Sequence, residues 1–352
     1  MIKQLRRKTK TVKIGGLKIG ASNPVAIQSM AKTKTALVQA TVRQIKELEA
    51  IGCEIVRLAV KDHADAKALK EIKRKVKLPL VADIHFDWRL ALEAIDSGID
   101  KVRLNPGNIY KKEQIKEIAK AAKINRIPIR VGLNSGSLPY SGAKKTLAER
   151  MVKSALDYIK TLESFSFYDI VVSLKASNIS DTLAAYRRMS QLCDYPFHLG
   201  VTATGLPFEG AVKSSIAVGS LLLEGIGDTI RISLTDNPVQ EVKAAKYILE
   251  AAGLRNFGPE IISCPTCGRC EVDLASIVKE LENKLAGSAQ NPQSRKAIKI
   301  AVMGCVVNGP GEAKEAELGV AFGKKEGLLF KKRAWRLKRL PYQIARIFCW
   351  MN

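Results

Sequence analysis

Residues 54–84 read EIVRLAVKDHADAKALKEIKRKVKLPLVADI. Two β-rich apolar runs, Glu54–Val60 and Leu80–Ile84, flank a segment whose apolar positions recur at helical spacing over 63–76. Strand, helix and strand in so short a stretch make a βαβ unit, which pairs its two strands in parallel. The same alternation extends in both directions. Val25–Met30 precedes a helical pattern over 36–51, and strand patterns follow at Lys101–Asn105, Pro128–Leu133, Ile170–Ala176, Leu199–Thr202 and Thr229–Leu234. The remaining helical patterns cover 87–96, 112–125, 144–164, 180–192, 210–224 and 238–252, with Gly52, Gly98, Gly225 and Gly253 placed where helices stop. Eight such units close most simply into a (β/α)8 TIM barrel. An open doubly wound sheet is the alternative, because the period alone does not prove closure.

After Gly253 the period ends, and Asn256-Phe257-Gly258-Pro259 reads as a boundary turn. A chain of 352 residues exceeds what one hydrophobic core usually supports, so residues 1–257 are assigned to the barrel and 258–352 to a smaller α/β domain. That second domain is predicted to hold a helix near 273–286, a polar linker over 287–292, a strand at Ile298–Met303 and a glycine-rich loop through Gly311. Residues 331–352 form a divergent basic tail.

The formal charge of +24 is partly terminal. Residues 1–13 carry six Lys or Arg and no acid, residues 331–352 carry seven and no acid, and the body keeps +11. That surplus favours an acidic substrate or partner, although a lysine-rich solvated surface accounts for much of it. No apolar run approaches the ~20 residues of a membrane span, and no signal-type stretch follows the basic start Lys3–Lys8. The expectation is a cytoplasmic protein with no membrane span. Seven unevenly spaced cysteines, four of them from Cys264 to Cys305, point to metal chemistry in a reducing compartment rather than a disulfide framework.

In a TIM barrel the chemistry sits at the C-terminal strand ends. Arg57, Arg103, Arg130, Lys175 and Arg231 fall within or near the ends of five different predicted strands, among residues that would otherwise be buried. A structural ion pair would serve any one of them, but five together favour an anionic guest, since each unpaired buried charge costs several kcal/mol. Phosphate fits, because its oxygens match the guanidinium fork. Asp83, Asn105, Asn134 and Ser233 add groups able to orient a polyol, and His85 reads equally as a proton donor or a hydrogen-bonded structural residue. His63 and His198 have no comparable setting.

Cys264-Pro265-Thr266-Cys267 is ambiguous by itself among zinc, a redox disulfide and an iron-sulfur cluster. Cys305 lies in Met303–Glu312, a Gly/Pro loop with exposed backbone N–H groups that can support cluster sulfur, and no His accompanies these thiols. Both facts favour iron-sulfur over zinc. Cys270 imitates part of a ferredoxin run and is read as a bystander.

These two segments, with Gly210–Ser215, Glu224–Arg231, Val25–Met30, Ala82–Phe86 and Val102–Asn108, closely resemble the (E)-4-hydroxy-3-methylbut-2-enyl diphosphate synthase family of the non-mevalonate isoprenoid pathway, over roughly residues 8–330. The resemblance implies a [4Fe-4S] cluster on Cys264, Cys267 and Cys305, with Glu312 as a displaceable fourth ligand. It implies reductive ring opening and dehydration of 2-C-methyl-D-erythritol 2,4-cyclodiphosphate, fed by two single electrons from flavodoxin or ferredoxin. Arg57, Arg103, Arg130, Lys175, Arg231 and Ser233 would clamp the diphosphate, and Asn308 would touch substrate beside the cluster. A homodimer is implied in which one subunit's cluster domain covers the other's barrel mouth. Two positions depart from the family pattern: Ala203 stands where a Glu is common, and from Arg333 the expected acid-bearing helix is missing. The rival readings are a zinc-ribbon nucleic-acid-binding protein and a barrel enzyme of pterin or other phosphate-ester chemistry with a purely structural cluster.

Overall fold

The computed structural model describes residues 6–138, 145–202, 204–287, 298–307, 311, 313–314, 316–324, 326–331 and 338–341. The chain divides into two compact units, Met1–Arg255 and Asn256–Asn352.

The first unit opens with a hairpin, β1 (Val12–Ile14) and β2 (Leu17–Ile19), that the sequence reading did not anticipate. Eight parallel strands follow: β3 (Ala26–Met30), β4 (Ile55–Val60), β5 (Leu80–Ile84), β6 (Lys101–Leu104), β7 (Ile129–Asn134), β8 (Ile170–Lys175), β9 (His198–Leu199) and β10 (Thr229–Ile230). They alternate with helices α1 (Val38–Ala50), α2 (His63–Lys75), α3 (Arg89–Asp96), α4 (Lys112–Asn125), α5 (Leu147–Ser164), α6 (Ile179–Ser190), α7 (Pro207–Leu223) and α8 (Pro238–Ala251). The sheet runs β8-β7-β6-β5-β4-β3-β10-β9, and a parallel bridge between Val172 and Phe197 brings its two ends together. That bridge decides for the barrel over the open sheet.

Local chemistry sets the helix starts. Asp62 and Asn178 cap α2 and α6 through their side-chain oxygens, and Thr146 with Glu149 forms a capping box on α5. Proline opens α7 and α8, where its missing N–H costs nothing.

Strand residues alternate between the helices and the barrel interior. Val56, Leu58, Val60, Val102, Leu104, Val131 and Leu133 form the outward set, all fully buried under the helices. The inward set is layered. Ala26, Ile55, Val81 and Val171 make an apolar floor, against which the hairpin packs Val12, Ile14 and Ile19. Higher inward positions are polar and form the site.

The second unit is a five-stranded mixed sheet: β11 (Glu260–Ser263), β12 (Lys299–Met303), β13 (Leu318–Phe322), β14 (Glu326–Lys331) and β15 (Lys338–Pro341). The first three strands pair in parallel and the last two antiparallel. Helix α9 (Leu274–Gly287) buries Leu274, Ile277 and Leu281 on Ile300, Val302, Val320 and Phe322. The described part of the basic tail is therefore an edge strand, not a helix. The predicted linker lies almost wholly outside the described residues.

Candidate active site

Asp83 is the hinge of the barrel mouth. Its Oδ1 accepts a 2.9 Å hydrogen bond from Arg103 Nη1, and Arg57 Nε stands 3.7 Å from Oδ2. Burial pushes the Asp83 carboxyl up, but Arg57, Arg103 and Arg130 outweigh it and hold it down at about 2. Arg103 also donates to the Gly132 carbonyl at 2.7 Å. A Cβ on Gly132 would stand 2.7 Å from Arg103 Nε, so glycine is what lets the guanidinium lie against β7. Arg57 rests on the Met30 sulfur through Nε and Nη2 at 3.0 and 2.7 Å.

A second carboxylate comes from outside the sheet. Glu241, on α8 and 1% exposed, accepts from Arg231 Nη2 at 3.0 Å and lies 3.4 Å from Lys32 Nζ. Its other oxygen accepts from Ser29 Oγ at 3.0 Å. Arg231 also donates to Ser233 Oγ.

Among the described residues, no carboxylate lies within ion-pair distance of Arg130 or Lys175. Arg130 is 1% exposed, its nearest acceptor is Gln28 Oε1 at 3.5 Å, and its Nε has no partner. Lys175 is 5% exposed and, among the described residues, has neither hydrogen bond nor ion pair. Its Nζ would stand 2.6 Å from a Cβ on Gly200, so that glycine makes room for it. Burial and the neighbouring guanidiniums drive the Arg130 and Lys175 values well down, and burial followed by the pull of Asp83 leaves Arg57 at about 10. Below them Lys101 Nζ and His198 Nε2 are fully buried without partners. His198 Nδ1 meets Thr229 Oγ1 at 2.8 Å, and burial with the cations above keeps the ring neutral. Native interiors rarely leave so many donors unsatisfied, and clusters of them mark places where a guest supplies the missing acceptors.

The five predicted cations and Asp83 thus converge on one mouth. Asn105 ties its own loop to the turn after β7, its Oδ1 accepting from Gly107 N and Ser137 Oγ at 3.1 and 3.2 Å, which leaves its amide hydrogens as donors. Asn134 ends β7 and His85 is half-buried just past β5, its carbonyl taken by Asn108 Nδ2 at 2.9 Å. Sequence reasoning missed Lys32, Glu241, Lys101 and His198. Two-residue alternation would have pointed Lys101 inward with Arg103, but only tertiary contact puts Glu241 at the mouth.

In the second unit, the Cys264–Cys267 turn holds Thr266 at φ 57°, a left-handed conformation that a β-branched residue adopts only at a cost. Gly304 N–H points at Cys264 Sγ over 3.3 Å, and Cys305 follows it directly. A strained thiol-bearing turn with a backbone N–H aimed at sulfur, no histidine nearby and a glycine under the sulfurs suits an iron-sulfur cluster. The described residues contain no preassembled group of three metal-binding side chains; Cys267 is exposed and Cys305 half-buried. Asn308, Glu312 and Ala203 lie outside the described residues.

Two family profiles match the chain: the GcpE TIM-barrel domain over residues 9–246 and the GcpE protein C-terminal domain over 260–346. The chain belongs to the GcpE family. Among its GcpE relatives, 4-hydroxy-3-methylbut-2-en-1-yl diphosphate synthase (flavodoxin) of Fusobacterium nucleatum subsp. nucleatum is 53% identical over 331 residues, covering 93% of this chain and 92% of its own. The enzyme of the same name from Thermodesulfovibrio yellowstonii is 54% identical over 330 residues, covering 93% of each. Dihydropteroate synthase from Stenotrophomonas maltophilia aligns with 70% of this chain and all of its own, at TM-score 0.54 and 11% identity. That likeness shows a shared barrel fold and nothing of pterin chemistry. GcpE membership leaves the zinc-ribbon reading without support. No helix among the described residues is long and apolar enough to cross a membrane.

Proposed function

We propose that this chain converts 2-C-methyl-D-erythritol 2,4-cyclodiphosphate to (E)-4-hydroxy-3-methylbut-2-enyl diphosphate, with two single electrons from flavodoxin, as a cytoplasmic enzyme of isoprenoid precursor biosynthesis. The observation that carries it is the mismatch at the barrel mouth: among the described residues, Arg57, Arg103, Arg130, Lys175, Arg231 and Lys32 face no carboxylates but Asp83 and Glu241. A diphosphate supplies the missing negative charge, and the low dielectric of the mouth strengthens each contact.

Arg130 and Lys175 take the phosphate oxygens first, because among the described residues no carboxylate pairs with either of them. Arg103 and Arg57 are already aimed by Asp83, and Arg231 by Glu241, so little ordering is left at binding. Ser233, Asn105 and Asn134 orient the sugar carbons, and His85 stands at the rim as a proton donor. Cys264, Cys267, Cys305 and Glu312 would hold a [4Fe-4S] cluster, which would supply electrons one at a time, with Glu312 as its displaceable ligand. Asn308 would touch substrate beside it.

The working form is a homodimer whose second copy closes the mouth with its own cluster domain. Leu37, Phe86, Tyr110, Leu206 and Phe208, on loops and the first turn of α7 at the C-terminal strand ends, are all more than half exposed and give such a cover an apolar rim. Val212 and Ile216 extend the apolar face along α7.

Anaerobic purification, iron and sulfide analysis, a visible spectrum and turnover of the cyclic diphosphate with reduced flavodoxin test the reading. A brown, redox-active protein that releases the linear diphosphate is expected. A colourless zinc protein, or an iron protein inert toward the cyclic diphosphate, overturns it.

A further inference from the structure

Beneath the mouth, the barrel interior gathers nitrogens with nothing to donate to. Gln28 Nε2, Lys101 Nζ, Arg130 Nε and His198 Nε2 are buried, and among the described residues none of them has a hydrogen-bond partner. The four residues are each 1% exposed or less and come from four different strands, β3, β6, β7 and β9.

The strand register brings them together. In a closed eight-stranded barrel the side chains of alternate strands share a layer, and the pairing here puts Gln28, Val81, Arg130 and His198 in one layer. Lys101 faces the same interior from the next layer toward the floor. The contacts agree with the register. Arg130 Nη1 donates to Gln28 Oε1 at 3.5 Å. Burial and the charges of Arg130 and Arg57 drive the Lys101 value well down, and burial with Arg130, Lys175 and Lys101 does the same to His198.

Every free atom of the set is a donor. The Arg130 bond occupies the Gln28 amide oxygen and leaves its nitrogen free. His198 is neutral, and with the Thr229 hydroxyl donating to Nδ1 its own proton sits on Nε2. A water molecule placed among these four nitrogens would find no acceptor there for its hydrogens. Lys101 and Arg130 also bring two positive charges, while Asp83 is taken by Arg103 and Arg57, and Glu241 by Arg231, Lys32 and Ser29. A spherical monovalent anion meets both demands, since it accepts from all four donors and offsets buried charge. Phosphate does not, because four donors leave most of its oxygen lone pairs unmet.

We propose that the barrel interior holds a resident monovalent anion of the halide class on Gln28, Lys101, Arg130 and His198, beneath the diphosphate site and distinct from it. With the ion in place Lys101 keeps its proton without a carboxylate, and the cations of the mouth rest on a neutralised layer. The inference does not depend on the diphosphate reading.

The test uses the full chain with its cluster reconstituted, freed of halide in methanesulfonate and crystallised with bromide, with and without pyrophosphate. A bromine anomalous peak touching Lys101 Nζ and His198 Nε2 is expected in both crystals, whereas bromide at the mouth should give way to pyrophosphate. Lys101→Met should lose the inner peak, and Lys101→Gln serves if the methionine variant does not fold. In solution at matched ionic strength, chloride at about ten times its dissociation constant should raise the wild-type unfolding temperature by roughly 3–6 °C over methanesulfonate and leave Lys101→Met unmoved. Water at the inner position, or a chloride effect equal in wild type and Lys101→Met, overturns the proposal. Pyrophosphate that fails to displace bromide from the mouth counts against the diphosphate reading and leaves the inner site standing.

Discussion

Arg103 shows how much one side chain is asked to do. Its two terminal nitrogens reach Asp83 and the Gly132 carbonyl at once, a span that only a planar fork manages. Arg103→Lys is expected to lower kcat/KM for the cyclic diphosphate by about 10- to 150-fold, the worth of one charge-assisted hydrogen bond at roughly 1.5–3 kcal/mol. Steady-state kinetics with reduced flavodoxin would measure it, and Gly132→Ala should show a loss of the same kind by pushing Arg103 aside. Asp83 and His198 both destabilise the fold as pH falls, but over different ranges. Asp83 has a folded value of about 2 against ~3.9 unfolded, so its stabilisation is complete above pH ~4 and is lost as pH falls toward 2. His198 is held neutral by burial and the cations above it, while the unfolded chain takes up a proton below pH ~6.5, so stability already declines there. Urea unfolding from pH 7 to 3.5 should show that earlier decline flattened in His198→Gln.

The hairpin at the barrel floor is the element on which closure leans. Strands β9 and β10 have only two residues each, so the β8–β9 seam is the thinnest part of the sheet. The N-terminal arm reinforces that region. Arg7 donates to the Cys193 carbonyl at 2.6 Å and stacks 3.8 Å over the Phe197 ring, while Arg6 pairs with Asp228 at 3.0 Å. Asp228 in turn accepts from the Phe197 N–H at 2.8 Å. Ile14 is fully buried against the floor, and Ile14→Ala should cost about 2–5 kcal/mol in urea unfolding while leaving KM for the cyclic diphosphate unchanged, because the floor and the mouth lie at opposite ends of the strands. A change in KM comparable with that of Arg103→Lys would contradict this separation. Neither the hairpin nor strands β13 to β15 were read from the sequence, since short runs carry too few positions to declare a period.

For the whole molecule, the exposed apolar surface of α7 makes assembly testable. Val212 and Ile216 are 46% and 51% exposed, so Val212→Asp with Ile216→Asp should leave the barrel folded and dissociate the proposed homodimer, seen as a halved mass by sedimentation. An unchanged mass would move the interface elsewhere. Turnover should fall with dimer content if a second copy completes the mouth.

The amino-acid order alone determined the eight βα repeats, the five strand-borne cations and the cysteine spacing, because each is written in local periodicity or residue type. Helix α4 is predicted and found at the same residues, since its apolar positions repeat over several turns. What tertiary structure decided is which charges meet. Glu241 reaches Arg231 and Lys32 from a helix, the floor is sealed by a hairpin distant in sequence, and Cys270 turns toward Gly304, 34 positions away. Such pairings depend on closing the sheet, and closure is a long-range event that no window of neighbouring residues encodes.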